Sequence, residues 1–259
     1  MMRSTTPASM PPHRGKIRLW TVAFWLLVWQ GASLAIGQEI LLVSPVSVVQ
    51  RLLALVPLPS FWEGVLFSFV RIVAGFVLAV AAGTLLAALS VGFARVRELL
   101  APLMLTIKAT PVASFIILVL IWVPSRNLSV VISFLMVLPI LYDNVLTGIL
   151  SMDGKLVEMA RVFRVPFSRR LRYIYTPQVL PFFRAGLTIG LGLCWKAGIA
   201  AEVIGIPKGS IGERLYQAKI FLDTPDLFAW TLTIIVISLL FEKAFLRLVD
   251  GAAKWLERR

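Results

Sequence analysis

Cysteine and histidine are almost missing from this chain: Cys194 and His13 stand alone in 259 residues. That excludes a disulfide framework, a zinc cluster and a serine–histidine–aspartate catalytic set. Charge is scarce, at 15% of residues against about 25% in an average soluble domain. Acidic residues are scarcer still, 13 against 26 basic ones. A glycine-rich phosphate loop is absent too, because GIPKGSIG at 205–212 lacks the G-x-x-x-x-G-K-[ST] spacing. What the chain has instead is hydrophobic surface: 59% of residues, with a mean hydropathy of +0.88. A water-facing domain of this size has no interior large enough for so many apolar side chains, which excludes an ordinary cytosolic enzyme or a disordered tail. The formal charge of +13 would suggest nucleic acid on a soluble protein. In a chain this apolar it points to a membrane protein with cationic cytoplasmic loops, and no nucleic-acid partner is expected.

A helix that crosses a bilayer needs roughly 20 mostly apolar residues. Six stretches qualify, near 17–37, 65–93, 99–123, 128–150, 179–205 and 227–248. Residues 1–16, with Pro7, Pro11 and Pro12, read as a cytoplasmic tail, and 17–259 as a single transmembrane domain. The apolar run behind Arg14, Lys16 and Arg18 is long enough to span and has no clear cleavage site after it, so it reads as a retained anchor. With six spans, one side of the membrane collects Arg3, Arg14, Lys16, Arg18, Arg95, Arg97, the run from Lys155 to Arg172, and Lys243, Arg247, Lys254, Arg258 and Arg259. The other side holds only Arg51, Arg126, Lys208, Arg214 and Lys219. The positive-inside rule then places both termini in the cytoplasm.

Gly75, Ala79, Gly83 and Ala87 repeat every four residues, and Gly186 and Gly190 do the same on the fifth span. Small residues at that spacing predict faces where helices approach closely. Ionisable residues inside the spans are candidates for function. Arg71 and Arg184 lie near span ends and are expected to snorkel to the interface. Lys108, beside Thr110-Pro111, and Lys196 and Glu202 lie deeper and are the candidates for a translocation path. Six residues of helix separate Lys196 from Glu202 by about 240°, so each needs its own partner or a water-filled cavity. The segment at 206–226, with Gly209, Gly212 and Pro225, is expected to be an outer surface loop or connector.

The loop at 151–178 is the most informative segment. Asp153 is placed to cap a short helix starting near Lys155, on which Leu156, Met159, Ala160 and Phe163 share one face. Val165-Pro166 ends that helix, and Ser168 caps a second one that runs to about Tyr175 and stops at Thr176-Pro177. An apolar ridge in basic surroundings suits a groove on another protein or an anionic lipid surface.

Glu158-Met159-Ala160, followed at the right distance by Ile174 and Pro177, resembles the EAA loop, E-A-A-x3-G-x9-I-x-L-P, of permease subunits of binding-protein-dependent ABC importers. Within that class the chain is similar to the nitrate/sulfonate/taurine-type permeases. The resemblance extends through SFVRIVAGF at 68–76, KATPVA at 108–113 and WKAGIAAEVIG at 195–205, and on to 228–241. Met159 replaces the first alanine, Arg164 the usual glycine and Thr176 the leucine before Pro177. With arginine in place of glycine, the usual tight turn after the first helix is not expected, and Pro166 is placed to make a different one.

The resemblance implies an all-α, type I importer permease of about six transmembrane helices in the bacterial inner membrane, with cytoplasmic coupling helices. It also implies partners: two ABC ATPase subunits beneath, an extracytoplasmic solute-binding protein outside, and a second permease copy. Homodimer and heterodimer both remain open. The chain itself would bind no cofactor, ATP acting through the ATPase. Leu156, Met159, Ala160 and Phe163 would form the insert into the ATPase cleft. Glu158 would make a polar contact there, and Arg164, Ile174 and Pro177 would complete the loop. A cationic path would suit a small anion such as a sulfonate, taurine or nitrate. The alternative, a secondary transporter driven by an ion gradient, accounts for the spans and buried charges but not for the loop helices.

Overall fold

A computed structural model describes residues 19–258, and every regular element among them is helical. The expected tail at 1–16 lies outside the described residues. In chain order the helices are α1 (Leu19–Ile36), α2 (Pro45–Leu55), α3 (Pro59–Gly92), α4 (Ala94–Ala109), α5 (Val112–Leu120), α6 (Ser125–Leu150), α7 (Gly154–Val162), α8 (Phe167–Arg170), α9 (Thr176–Gly205), α10 (Ile211–Ile220) and α11 (Thr224–Arg258), with a π turn at Leu171–Tyr175 between α8 and α9. Among the described residues, α1, α3, α6 and the continuous run Phe167–Gly205 are each long and apolar enough to cross a membrane. The pair α4 and α5 makes a fifth crossing if counted as one, and the last expected span, 227–248, falls inside α11.

Helix α6 is the centre of the bundle, clamped between α3 and α9. In lipid, helices gain little from burying apolar surface against each other, so close van der Waals approach has to hold them together. The small-residue stripe provides it: Gly75, Ala79, Gly83 and Ala87 are all buried. A Cβ at Gly83 would stand 2.9 Å from the Cβ of Leu141 and 3.2 Å from the Leu138 carbonyl of α6. On the other side, a Cβ at Gly186 would meet Asn144, and one at Gly190 would meet Val137 and Leu141. Gly198 lies where α3, α6 and α9 come together, against Ile72 and Ser133. Hydroxyls lock the contact: Ser133 Oγ donates to the Cys194 carbonyl at 3.1 Å, and Tyr142 donates to Ser90 Oγ at 3.0 Å. Helix α11 joins through an aromatic cluster in which Phe241 and Phe245 pack on Phe76, with Phe69 and Trp195 beside Phe241. Helix α1 stays at the perimeter, its apolar side chains almost all exposed, held where Trp29 Nε1 donates to the Val43 carbonyl and Ser33 to that of Leu42.

Four sequence expectations change at this level. The stretch 99–123 is not one straight span, because α4 and α5 meet at 105°. Pro111 has no N–H to continue the helix and forces Thr110 into extended backbone, φ −79° and ψ 129°. Second, Thr176-Pro177 does not stop the helix after the loop. Pro177 sits in the first turn of α9, and the π turn just before it absorbs the missing hydrogen bond, with Thr176 Oγ1 donating to the Leu171 carbonyl at 2.8 Å. Third, the capping position of α8 is Pro166, not Ser168. Fourth, 206–226 is not merely a loop, because it contains α10. The S-x-x-E spacing of Ser210 and Glu213 is a capping pair: Ser210 accepts from the Glu213 N–H at 2.9 Å, and Glu213 accepts from the Gly209 N–H at 2.6 Å.

Replacing Gly83 by valine is expected to cost about 1–3 kcal/mol by overpacking the α3–α6 contact. Gly92→Ala, where nothing lies within 4 Å, serves as the near-neutral control. Thermal unfolding of the two purified variants in one detergent measures the difference.

Candidate functional site

The loop between α6 and α9 is built by its caps. Asp153 Oδ1 accepts from the Lys155 N–H at 2.9 Å, which starts α7 where the sequence expected it. The Asp153 N–H donates to Gln178 Oε1 at 3.0 Å, tying the start of the loop to α9. At the other end the Val165 N–H reaches back to the Ala160 carbonyl at 2.9 Å, and the Arg164 N–H to that of Arg161 at 3.0 Å. This is a Schellman-type turn, and its left-handed residue is Arg164, φ 49°. The tight turn therefore forms at the position where glycine was missing, with an arginine held in a conformation that glycine adopts more easily.

The expected apolar face divides in two. Ala160 is 1% exposed, buried within the chain itself, so it is not available as part of an insert. Leu156, Met159 and Phe163 are exposed, Phe163 at 75%, together with Val162, which the face did not include. Glu158 is exposed on the same helix, Ile174 is half-buried in the π turn, and Pro177 is exposed at the start of α9. Arg161, Arg164 and Arg169 surround this tip.

The charges inside the bundle also find partners that the sequence did not reveal. Lys108 Nζ lies 2.6 Å from Asp143 Oδ2 on α6, and both side chains are about half exposed. Lys108 borders a cavity of about 210 Å³ also lined by Thr110, Met136, Pro139, Ile140 and Leu193. Lys196 is exposed on α9, on the same side of the helix as Gly192 and Thr188, and forms no ion pair among the described residues. Arg184 pairs with Asp250 of α11 at 2.8 Å, and Arg71 donates to the Arg126 carbonyl at 2.7 Å while stacking 3.6 Å over the Phe67 ring. Both guanidinium groups therefore have a partner within the chain. Arg51, on α2, bridges to Asp223 and Asp226 at the start of α11.

Glu202 departs furthest from the expectation of a path-lining residue. Its side chain is fully buried, and Oε2 accepts from Ser68 Oγ at 2.6 Å and from the Gly212 N–H at 3.3 Å. Ser68 Oγ in turn accepts from the Ile211 N–H at 2.9 Å. Glu202 thus satisfies the backbone at the start of α10 and joins α3, α9 and α10. A carboxylate at that helix N-terminus complements both the free N–H groups and the helix dipole.

Comparison with known proteins bears on what such an arrangement serves. The sequence profile of the binding-protein-dependent transport system inner membrane component family matches residues 75–259. The taurine transport system permease protein TauC of Escherichia coli is 26% identical over 251 residues, covering 92% of this chain and 89% of that one. The nitrate import permease protein NrtB of Synechococcus elongatus is 26% identical over 206 residues, covering 75% and 73%. A crystal structure of an amino acid ABC transporter with histidines shares the fold, with a TM-score of 0.55 at 19% identity over 76% of this chain and 94% of that one.

Arg164→Gly is expected to stabilise the loop by about 1 kcal/mol by releasing the left-handed arginine, read as slower amide exchange at residues 160–166. Ser68→Ala is expected to cost the fold about 1.5–3 kcal/mol, since it strips a hydrogen bond from a buried carboxyl group and orphans the Ile211 N–H. A drop in unfolding temperature in detergent would report that loss.

Proposed function

The chain belongs to the family of binding-protein-dependent transport system inner membrane components and is the permease part of an ABC importer; from that premise we propose how it is driven and what it carries. The loop at 151–178 is the handle by which a separate ATPase moves the bundle. The observation that carries this reading is the exposed Leu156, Met159 and Phe163 on α7, a helix capped at both ends with Ala160 buried. Three large apolar side chains exposed on a short helix capped at both ends suit insertion into a groove of a partner. Glu158 adds a polar contact with the ATPase, and Arg164, Ile174 and Pro177 hold the turn and the stem.

Two ATPase subunits bind ATP on behalf of this chain, which needs no cofactor of its own. A second permease copy and an extracytoplasmic binding protein complete the assembly. Both termini lie in the cytoplasm, on the side of α7 and its arginines. Closure of the ATPase pair pulls α7, and the unbroken helix from Phe167 to Gly205 carries that displacement across the bilayer to α10. Two packing arrangements of the bundle, inward- and outward-facing, are thereby biased by nucleotide and by the loaded binding protein. The cargo is a small solute of the kind that the relatives' names indicate, taurine or nitrate. Its path follows the side of α9 that exposes Lys196, Gly192 and Thr188, and the cavity at Lys108.

Because Ala160 is buried, substituting it would disturb the loop itself, and the exposed ridge is the better place to test the contact. Phe163→Asp is expected to lower the amount of ATPase that co-elutes with the purified permease at least about tenfold, or about 1.4 kcal/mol, with the permease's own elution unchanged. A wild-type ratio of ATPase to permease in Phe163→Asp would overturn the reading.

A further inference from the structure

The junction of α9 and α10 holds two features that a purely structural tie does not need. The first is a pair of unsatisfied polar atoms. Both donors to Glu202, Ser68 Oγ and the Gly212 N–H, go to Oε2, while Oε1 is buried with no hydrogen bond. Ser129 of α6 is fully buried beside the same carboxyl group, and its hydroxyl is unsatisfied too. Buried polar groups without partners are rare and costly, so two of them left apart at one spot call for an explanation. The second feature is backbone strain. Ile206 closes α9 at φ 47° and ψ 53°, a left-handed conformation that is an outlier for a β-branched side chain. Such strain persists only where the surroundings impose it. Here it turns the chain back so sharply that Gly212 comes to rest on Glu202.

We propose that this junction is a two-position latch, in which Glu202 exchanges Ser68 and α10 for Ser129 of α6 as the bundle changes state. The proposal rests on the importer reading and gives the unbroken helix from Phe167 to Gly205 something to release at its outer end. In the position seen here, Glu202 holds α3 and the N-terminus of α10. In the other, α10 lifts away, Ile206 leaves its left-handed conformation, and the Ser129 hydroxyl donates to the Glu202 carboxyl group. That group keeps a partner throughout, as a buried polar group must. The N–H groups of Ile211 and Gly212 pass to water with the departing helix. Each position satisfies polar atoms that the other leaves bare, which is how a packed core becomes bistable. A pull from the ATPase, or docking of the binding protein outside, then selects between the two.

Hydrogen exchange at the Ile211 and Gly212 amides reads the latch, since both are bonded inside the bundle in the position seen here. The sample is the full-length chain in nanodiscs. Ser129→Ala removes a hydroxyl that bonds nothing in that position and is needed in the other. It is expected to leave the unfolding temperature at or above that of wild type, and to slow exchange at both amides at least about tenfold. Ser68→Ala is expected to speed exchange at Gly212 by a similar factor. If Ser129 props the junction as it stands, its loss speeds exchange instead; if it is a bystander, exchange stays as in wild type. Either result overturns the proposal, and so does a Ser68→Ala protein that exchanges no faster than wild type. The wild-type chain with its co-eluting ATPase is expected to exchange both amides faster once trapped with ATP and vanadate, and unchanged exchange there overturns the proposal as well. The two claims stay separable. A chain that carries its ATPase but lacks the serine effects loses only the latch, and one that shows those effects but retains no ATPase loses only the coupling assignment.

Discussion

Everything in this bundle depends on α6 being approached on both flanks by helices that offer no side chain at the point of contact. A Cβ on Gly83, Gly186, Gly190 or Gly198 would have a neighbouring heavy atom at or within about 3 Å. Two glycine-bearing faces on α3 and α9, meeting one helix between them, turn a set of apolar rods into a single packed unit without help from water. The ridge on the far side of each rod is then free to face lipid, which is why Leu66, Leu78, Leu85 and Ile189 are exposed in so hydrophobic a chain.

The polar residues inside are fastened by the same geometry. Once α3 and α9 are drawn together, Ser68 and Glu202 meet in a sealed space, where N–H groups at the N-terminus of α10 donate to Ser68 Oγ and to Glu202 Oε2. A buried carboxylate is tolerable only with such partners. Its effect is to make the outer end of α9 part of the core. Gly212 sits against Glu202 itself, so close that no side chain would fit there, and Ile206 closes α9 in a left-handed conformation, φ 47°.

The apolar runs, the four-residue spacing of Gly75, Ala79, Gly83 and Ala87, and the Asp153 cap were all legible in the sequence, because each depends on residues close together in the chain. The partners of the buried charges were not. Lys108 and Asp143 are 35 residues apart, Arg184 and Asp250 66, and Ser68 and Glu202 134, and no local periodicity reports such pairings. Two errors had closer causes. Pro177 reads as a stop because proline lacks a donor, yet a π turn can absorb that loss. Helix α10 was signalled by Ser210 and Glu213 at capping spacing, but glycines on either side made the stretch look like a loop. In the loop at 151–178 the sequence identified the ridge, while the burial of Ala160 emerged only from the structure.

The only cysteine, Cys194, is completely enclosed between α6 and α9, its thiol donating to the Leu191 carbonyl at 3.1 Å. Water-borne alkylating reagents and spin labels therefore meet a surface that is blank to thiol chemistry as nature made it. A single engineered thiol beside Lys196 or on α7 would report its own surroundings without background, so distances between copies, and their changes during a turnover cycle, become measurable in an otherwise unaltered chain.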